Sequence, residues 1–278
     1  MIKIGKAKSP SNINLSYSTD DGETWTDLTL SASRDFATIN TGDKIMFKGT
    51  NNNLATAWDA YYRFYSTKNI NVYGNAMSLL FGDNFLNNSE FTSGTSYNLC
   101  GLFYGTTTLI DASNLILPAS TCTISCYNGM FRGCTNLVYG PKVLPALNVP
   151  KDGYSSMFEG CTSLIEAPEI LATTVSGDTA LNRMFCMNRS SKVTAAMTKG
   201  PVLRITNPTS YTNVYQQLFC GNGNIVEITI LINGTNLSFA NWLNNVSAIG
   251  VIKTLSGTTF TSGVSGLPSG WTTETYVE

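Results

Sequence analysis

Apolar side chains recur in this chain at i, i+3 and i+4 in three successive places: Tyr127, Met130 and Phe131; Tyr154, Met157 and Phe158; Leu181, Met184 and Phe185. That spacing gathers three side chains on one face of a short helical turn, and such a face must be buried. The surrounding text repeats too, YNGMFRGCTNLVYGPKVLPA at 127–146 returning as YSSMFEGCTSLIEAPEILAT at 154–173. Weaker anchors at Leu102-Phe103, Leu218-Phe219 and Trp242-Leu243 make the second anchor residue recur at intervals of 28, 27, 27, 34 and 24 residues. A near-constant period marks stacked repeats that shed extra residues as loops, so the long interval places a protruding loop between Met187 and Gln217. After each Gly-Cys-Thr come short β-rich runs, Leu137-Val138 and Val143-Leu144, then Leu164-Ile165 and Ile170-Leu171. They are separated by Pro141 and Pro168, which cannot donate to a ladder. One coil reads as helical turn, tight turn, short strand, proline and second apolar segment. Phe103, Phe131, Phe158, Phe185 and Phe219, with Cys134 and Cys161 at one shared repeat position, form the expected core.

The N-terminal part is patterned differently. Ile13 to Tyr17 alternates with period two, Asp20-Asp21-Gly22 supplies a turn, and Thr24 to Leu28 resumes, which predicts a β-hairpin. Further strands are expected at Lys44–Lys48, after the Asn40-Thr41-Gly42-Asp43 turn, and at Tyr61–Tyr65 and Asn69–Tyr73. The predicted organisation is an N-terminal arm (1–10), a small antiparallel β-sandwich (11–75) covering the first coil, a repeat region (76–255) and a C-terminal cap or docking segment (256–278). In that last segment Trp271 is expected to cover the final coil, since terminal repeats must hide apolar surface.

Composition narrows the chemistry. Charged residues are 13% of the 278, the formal net charge is −1, and no basic cluster stands out, so a phosphate-backbone partner is not expected. No apolar run approaches the length of a membrane span. Histidine is absent, which removes Ser-His-Asp and Cys-His catalysis and histidine-ligated metals. No phosphate-loop, dinucleotide or nucleophile-elbow motif occurs, and neither catalytic residues nor a metal or other cofactor are expected. A two-carboxylate glycosidase needs only paired Asp or Glu and stays as a third reading. The seven cysteines lack a C-x-x-C pair and are odd in number, which suits buried free thiols.

The MF-x-G-C-[TN]-[NS]-L spacing, present as MFRGCTNL and MFEGCTSL, resembles the BspA-like leucine-rich repeat family of Bacteroidetes surface proteins and of phage proteins. The likeness is strong over 99–174 and degenerate over 184–255, where MFCMNRSS and LFCGNGNI lose the Gly-Cys-Thr turn. It implies an α+β repeat fold, a curved leucine-rich-repeat solenoid behind the sandwich, and an adhesive or recognition role. The Gly42-Asp43-Lys44 turn resembles leader domains of such proteins, and Gly266-Leu267-Pro268-Ser269-Gly270-Trp271 resembles their closing segment. Ser18 to Trp25 fits the Asp box of sialidase propellers, there a structural hairpin turn remote from catalysis.

The opening residues carry no apolar signal region and the first cysteine is Cys100, so neither a signal peptide nor a lipoprotein anchor is expected. The expected function is a non-enzymatic virion component, an exposed phage fibre or spike binding host-surface glycan or protein. A bacterial cell-surface adhesin is the alternative. Expected partners are other virion proteins and the host surface, without nucleic acid or membrane insertion, and a homo-oligomer is compatible. The binding face is expected at Tyr139 and Glu166, with Asp111 and Glu227 continuing the column and Lys142 and Glu169 beside it.

Overall fold

A computed structural model describes residues 2–8, 12–30, 34–37, 40 and 42–277. The N-terminal strands are β1 (Ile2–Lys6), β2 (Ile13–Ser18), β3 (Thr26–Leu30), β4 (Arg34–Ala37), β5 (Met46–Gly49), β6 (Ala55–Ala57) and β7 (Ala60–Ser66). They form two antiparallel sheets of order β4-β1-β7-β6 and β3-β2-β5. Alternation puts Ile4, Ile13, Leu15, Tyr62 and Phe64 inside, and Phe47 meets Phe64 edge-on at 4.8 Å. The expected hairpin is present as β2–β3, with Leu15 opposite Leu28. The turn between them is tied by its own polar groups. Asp20 accepts from the Thr24 N–H, the Gly22 N–H donates to Ser18 Oγ at 2.9 Å, and Trp25 Nε1 donates to the Gly22 carbonyl at 3.0 Å.

Two N-terminal expectations need correction. Ile2–Lys6, read as part of a free arm, is a central strand paired on both sides, because its alternate isoleucines fit the buried face. The segment expected to close the antiparallel sandwich, β8 (Ile70–Asn75), pairs instead in parallel with β9 (Leu109–Ile116) and so begins the repeat region. Of the predicted Asn40–Asp43 turn, Thr41 lies outside the described residues; Asp43 N–H donates to the Asn40 carbonyl at 3.2 Å.

The α+β class, and with it the leucine-rich-repeat solenoid, is overturned. Among the described residues helix is confined to α1 (Ser78–Phe81), which precedes β9, and a 3-10 turn at Gly82–Asn87. Everything else is short strands in small sheets and tight turns. The remaining strands are β10 (Val143–Leu144), β11 (Asn148–Val149), β12 (Glu169–Ile170), β13 (Thr174–Val175), β14 (Lys199–Leu203), β15 (Glu227–Ile230), β16 (Gly250–Thr254) and β17 (Trp271–Thr275). They pair in parallel as β10-β12, β11-β13 and β14-β15-β16-β17.

The expected helical turns fail for a local reason. Every fourth residue is left-handed: φ is 56, 59 and 76° at Ser125, Gly129 and Gly133, and 55, 55 and 77° at Asp152, Ser156 and Gly160. A right-handed helix cannot pass through such residues. The chain instead makes consecutive four-residue turns, which share the i, i+3, i+4 spacing of a helix. Alternate amides divide their bonds. Those of Cys126, Asn128, Met130, Arg132 and Cys134 donate three residues back, while those of Ser125, Tyr127, Gly129, Phe131 and Gly133 reach the carbonyls of Lys151, Gly153, Ser155, Met157 and Glu159 at 2.7–3.1 Å. The turns thereby act as rungs of an inter-segment ladder, and the backbone is satisfied without helix or long strand.

Inside the rungs runs an aromatic column. Phe103, Phe131, Phe158, Phe185 and Phe219 stack at centroid spacings of 5.5, 5.3, 5.6 and 5.8 Å with interplanar angles of 12, 8, 1 and 9°. The column continues to Trp242 and Phe260. Cys134 and Cys161 are fully buried beside it, as expected. At the N-terminal end Phe64 packs at 6.3 Å on Phe103 and donates its N–H to the Leu102 carbonyl at 2.8 Å, so β7 of the N-terminal sheets covers the first rung. At the other end Trp271, on β17, lies against Gly250 and donates Nε1–H to the Ser247 carbonyl at 2.9 Å. The long repeat interval is not a single protruding loop. β14 crosses it, paired with β15, and exposed stretches at 189–192 and 209–213 carry the extra residues on either side.

Candidate recognition groove

The residues between the anchors repeat in columns of their own, in which Ser125, Ser155 and Ser156 are buried and Asn128, Asp152 and Arg183 are partly exposed. One column runs through Tyr97, Ser125 and Asp152; another through Asn128 and Ser155; a third through Ser156 and Arg183. Together with Arg132 and Arg189 these line an open groove of about 390 Å³. Trp58 completes it from the tip of the β6–β7 hairpin, 62% exposed. The N-terminal sheets and the repeat rungs thus build the groove jointly.

Buried polar contacts hold its floor. Glu159, with its side chain 10% exposed, forms an ion pair with Arg132 at 3.1 Å and accepts hydrogen bonds from Arg189 Nε and Nη2 at 2.5 and 3.0 Å. Arg132 also lies 5.5 Å over the Tyr104 ring. Arg183 Nε donates to Gln217 Oε1 at 2.6 Å, and Asp152 accepts the Thr179 hydroxyl at 2.6 Å. The guanidiniums are therefore set in position by partners on neighbouring rungs, which lowers the ordering cost of binding. An exposed indole offers a flat apolar face for the C–H side of a sugar ring. The guanidiniums offer forked donors to a carboxylate or sulfate, and Asn128, which also lines the groove, adds a neutral hydrogen-bonding group.

Of the residues expected from sequence, Asp111, Tyr139 and Glu166 are brought together on consecutive parallel rungs, Asp111 opposite Tyr139 and Tyr139 opposite Glu166. Tyr139 is 47% exposed. Asp111 spends one carboxylate oxygen on the Ser113 N–H at 2.7 Å. Lys142 and Glu169 are exposed neighbours, the Glu169 N–H donating to the Lys142 carbonyl at 2.8 Å. Glu227 lies on β15. Its carboxylate meets Lys253 at 3.0 Å and Lys199 at 3.5 Å, and the hydrogen bond from Lys253 holds its pKa below the ordinary value. It pairs in register with Lys199 of β14 and is neutralised in place.

Sequence reasoning missed the groove, although a signal was present. In each copy the residues between the first anchor and the methionine, Asn128-Gly129, Ser155-Ser156 and Asn182-Arg183, are small or polar where the flanks are apolar. Nothing in the pattern announced Trp58, which arrives from a hairpin distant in sequence. Among the described residues no group of histidine, cysteine, aspartate and glutamate is arranged to hold a metal ion, and no helix is long and apolar enough to cross a membrane. Compared with protein-family models, curated proteins and solved structures, the chain has no match.

Proposed function

We propose that this chain is a non-enzymatic recognition protein that binds an acidic surface glycan in the groove beneath Trp58, carried on an exposed phage appendage. The observation that carries the reading is the groove itself: an exposed tryptophan facing arginines positioned by Glu159 and Gln217. The likeness of the MF-x-G-C-T repeats to adhesive surface and phage proteins points the same way. Unpaired thiols suit assembly in a reducing cytoplasm.

The binding test measures immobilised sulfated or uronate-bearing polysaccharides beside neutral ones. Acidic chains bind, and Trp58→Ala or Arg183→Gln each weaken binding about tenfold, the equivalent of roughly 1.4 kcal/mol. A Tyr139→Ala, Glu166→Ala double variant retains binding. Loss in the double variant with normal binding by the groove variants would move the site to the strand face. Failure of the wild-type chain to bind any glycan would overturn the reading. The setting is tested separately by peptide mass spectrometry of phage particles and washed cell envelopes. Recovery from particles supports an appendage; recovery only from envelopes would make the chain a bacterial adhesin.

A further inference from the structure

The cysteines do not share one environment. Cys134 and Cys161 stand on adjacent rungs, yet each thiol turns to backbone, donating to the Phe103 and Phe131 carbonyls at 3.0 Å. Adjacency in the ladder therefore does not by itself pair two sulfurs. Cys186 and Cys220 also stand on adjacent rungs, immediately after Phe185 and Phe219, and their sulfurs face each other at 2.7 Å. The Met187 N–H donates to the Cys220 carbonyl at 2.8 Å, which keeps the two rungs in register. Neighbouring ladder strands lie about 4.8 Å apart, within the Cα separations that a disulfide spans.

We propose that Cys186 and Cys220 form a peroxide-oxidisable disulfide site that staples the two rungs flanking the longest repeat interval. Both thiols are buried, so peroxide reaches them through local opening of the rungs, and Cys220 then reacts first. The hydrogen bond from Cys186 lowers its pKa, and Arg183 and Arg189 add positive charge, against desolvation and the Glu159 carboxylate. Either sulfur can donate to the other, and the Cys220 thiol also lies 3.3 Å from the Asn188 carbonyl, to which it can donate. The Cys220 thiolate attacks one oxygen of hydrogen peroxide; the O–O bond breaks, hydroxide leaves, and a sulfenic acid forms as its sulfur gives up two electrons. Cys186 then loses its proton and attacks that sulfur, the S–O bond breaks, the departing oxygen leaves as water, and the S–S bond forms. Two thiols and one peroxide yield one disulfide and two waters.

The consequence follows from position. The bond closes a 34-residue separation at the interval where added residues give the unfolded chain most freedom, so it removes loop entropy where the repeat has most of it. Arg183 and Arg189, which line the groove, are near enough for their charge to act on Cys220.

The test treats fully reduced wild-type protein with a small excess of hydrogen peroxide, then blocks free thiols. The expected product has lost about 2 Da and yields a peptide pair joined through Cys186 and Cys220. It keeps five alkylatable thiols of the original seven (7 − 2 = 5). Its melting midpoint lies above that of the reduced chain, and dithiothreitol reverses the rise. Cys220→Ser abolishes both the link and the rise; should that variant not fold, the reversible wild-type comparison still decides. A link between another pair, oxygen addition at Cys220 without a link, or a linked product that melts like the reduced chain would each overturn the proposal.

Discussion

Phe158 is the ring whose removal most directly tests the stacked core. It is fully buried, with Phe131 5.3 Å away on one side and Phe185 5.6 Å away on the other, all three nearly coplanar in orientation. Phe158→Ala removes a buried ring in the middle of the column, where inter-rung hydrogen bonds on both sides keep the backbone from closing the gap. Truncations of this kind cost about 3–5 kcal/mol. For a chain of this size each kcal/mol moves the melting temperature by about 2–4 °C, so the midpoint falls by roughly 6–20 °C. Phe158→Leu retains most of the volume but loses two ring stacks worth about 0.5–1.5 kcal/mol each, and falls between. Tyr139→Ala, on the exposed strand face, stays within about 0.5 kcal/mol of wild type. Thermal melts by circular dichroism, repeated in urea, measure all three. A Phe158→Ala midpoint indistinguishable from that of Tyr139→Ala would refute the column as the source of stability.

Other outcomes follow from single residues. Gly221→Ala, at φ 76° with the Asn188 carbonyl oxygen 2.1 Å from the added carbon, prevents soluble folding, whereas Gly160→Ala, at φ 77° with its nearest neighbour at 3.7 Å, is tolerated. The second substitution costs about 1–2 kcal/mol, and equal expression and melting of the two would contradict the close approach. Asp20 has its pKa lowered from 3.8 to about 2 by hydrogen bonds from Ser18 and Thr24. Because the folded value is depressed, its contribution is complete above the unfolded value and is lost as pH falls through the folded one. An NMR titration should therefore show Asp20 ionised at pH 3 and the hairpin weakening toward pH 2; a midpoint near 4 would contradict this. Burial pushes the Cys100 and Cys134 thiols up to about 12, so brief alkylation of reduced native protein at pH 8 should spare both and reach half-buried Cys122 first. Labelling of Cys134 as fast as in urea would mean an open core.

The buried columns were legible in the sequence because burial repeats with the chain's own period. Phe131 and Phe158, or Cys134 and Cys161, meet the same neighbours one rung apart and are written with the same letters. Local conformation was less legible. The i, i+3, i+4 spacing of Tyr127, Met130 and Phe131 belongs equally to a helical turn and to a four-residue turn with a left-handed residue. At Ser125, Asp152, Ser156 and Arg183 that left-handed residue is not even glycine. Only the neighbouring rung, by accepting alternate amides, decides for the turn. β8 was read correctly as a strand but assigned the wrong partner, since parallel and antiparallel pairing draw on the same residues.

By itself the sequence determined the period, the aromatic column, the Asp20 hairpin turn and the Asp111–Tyr139–Glu166 row, all of which depend on residues close together or exactly repeated. Tertiary structure decided the nearly all-β character, the central place of β1, the neutralisation of Glu227 between Lys199 and Lys253, the groove under Trp58 and the contact between the free thiols of Cys186 and Cys220. Each of these joins residues from different rungs or from the two ends of the fold. Their meeting depends on where the backbone's hydrogen bonds go, and no one-dimensional pattern of side chains records that choice.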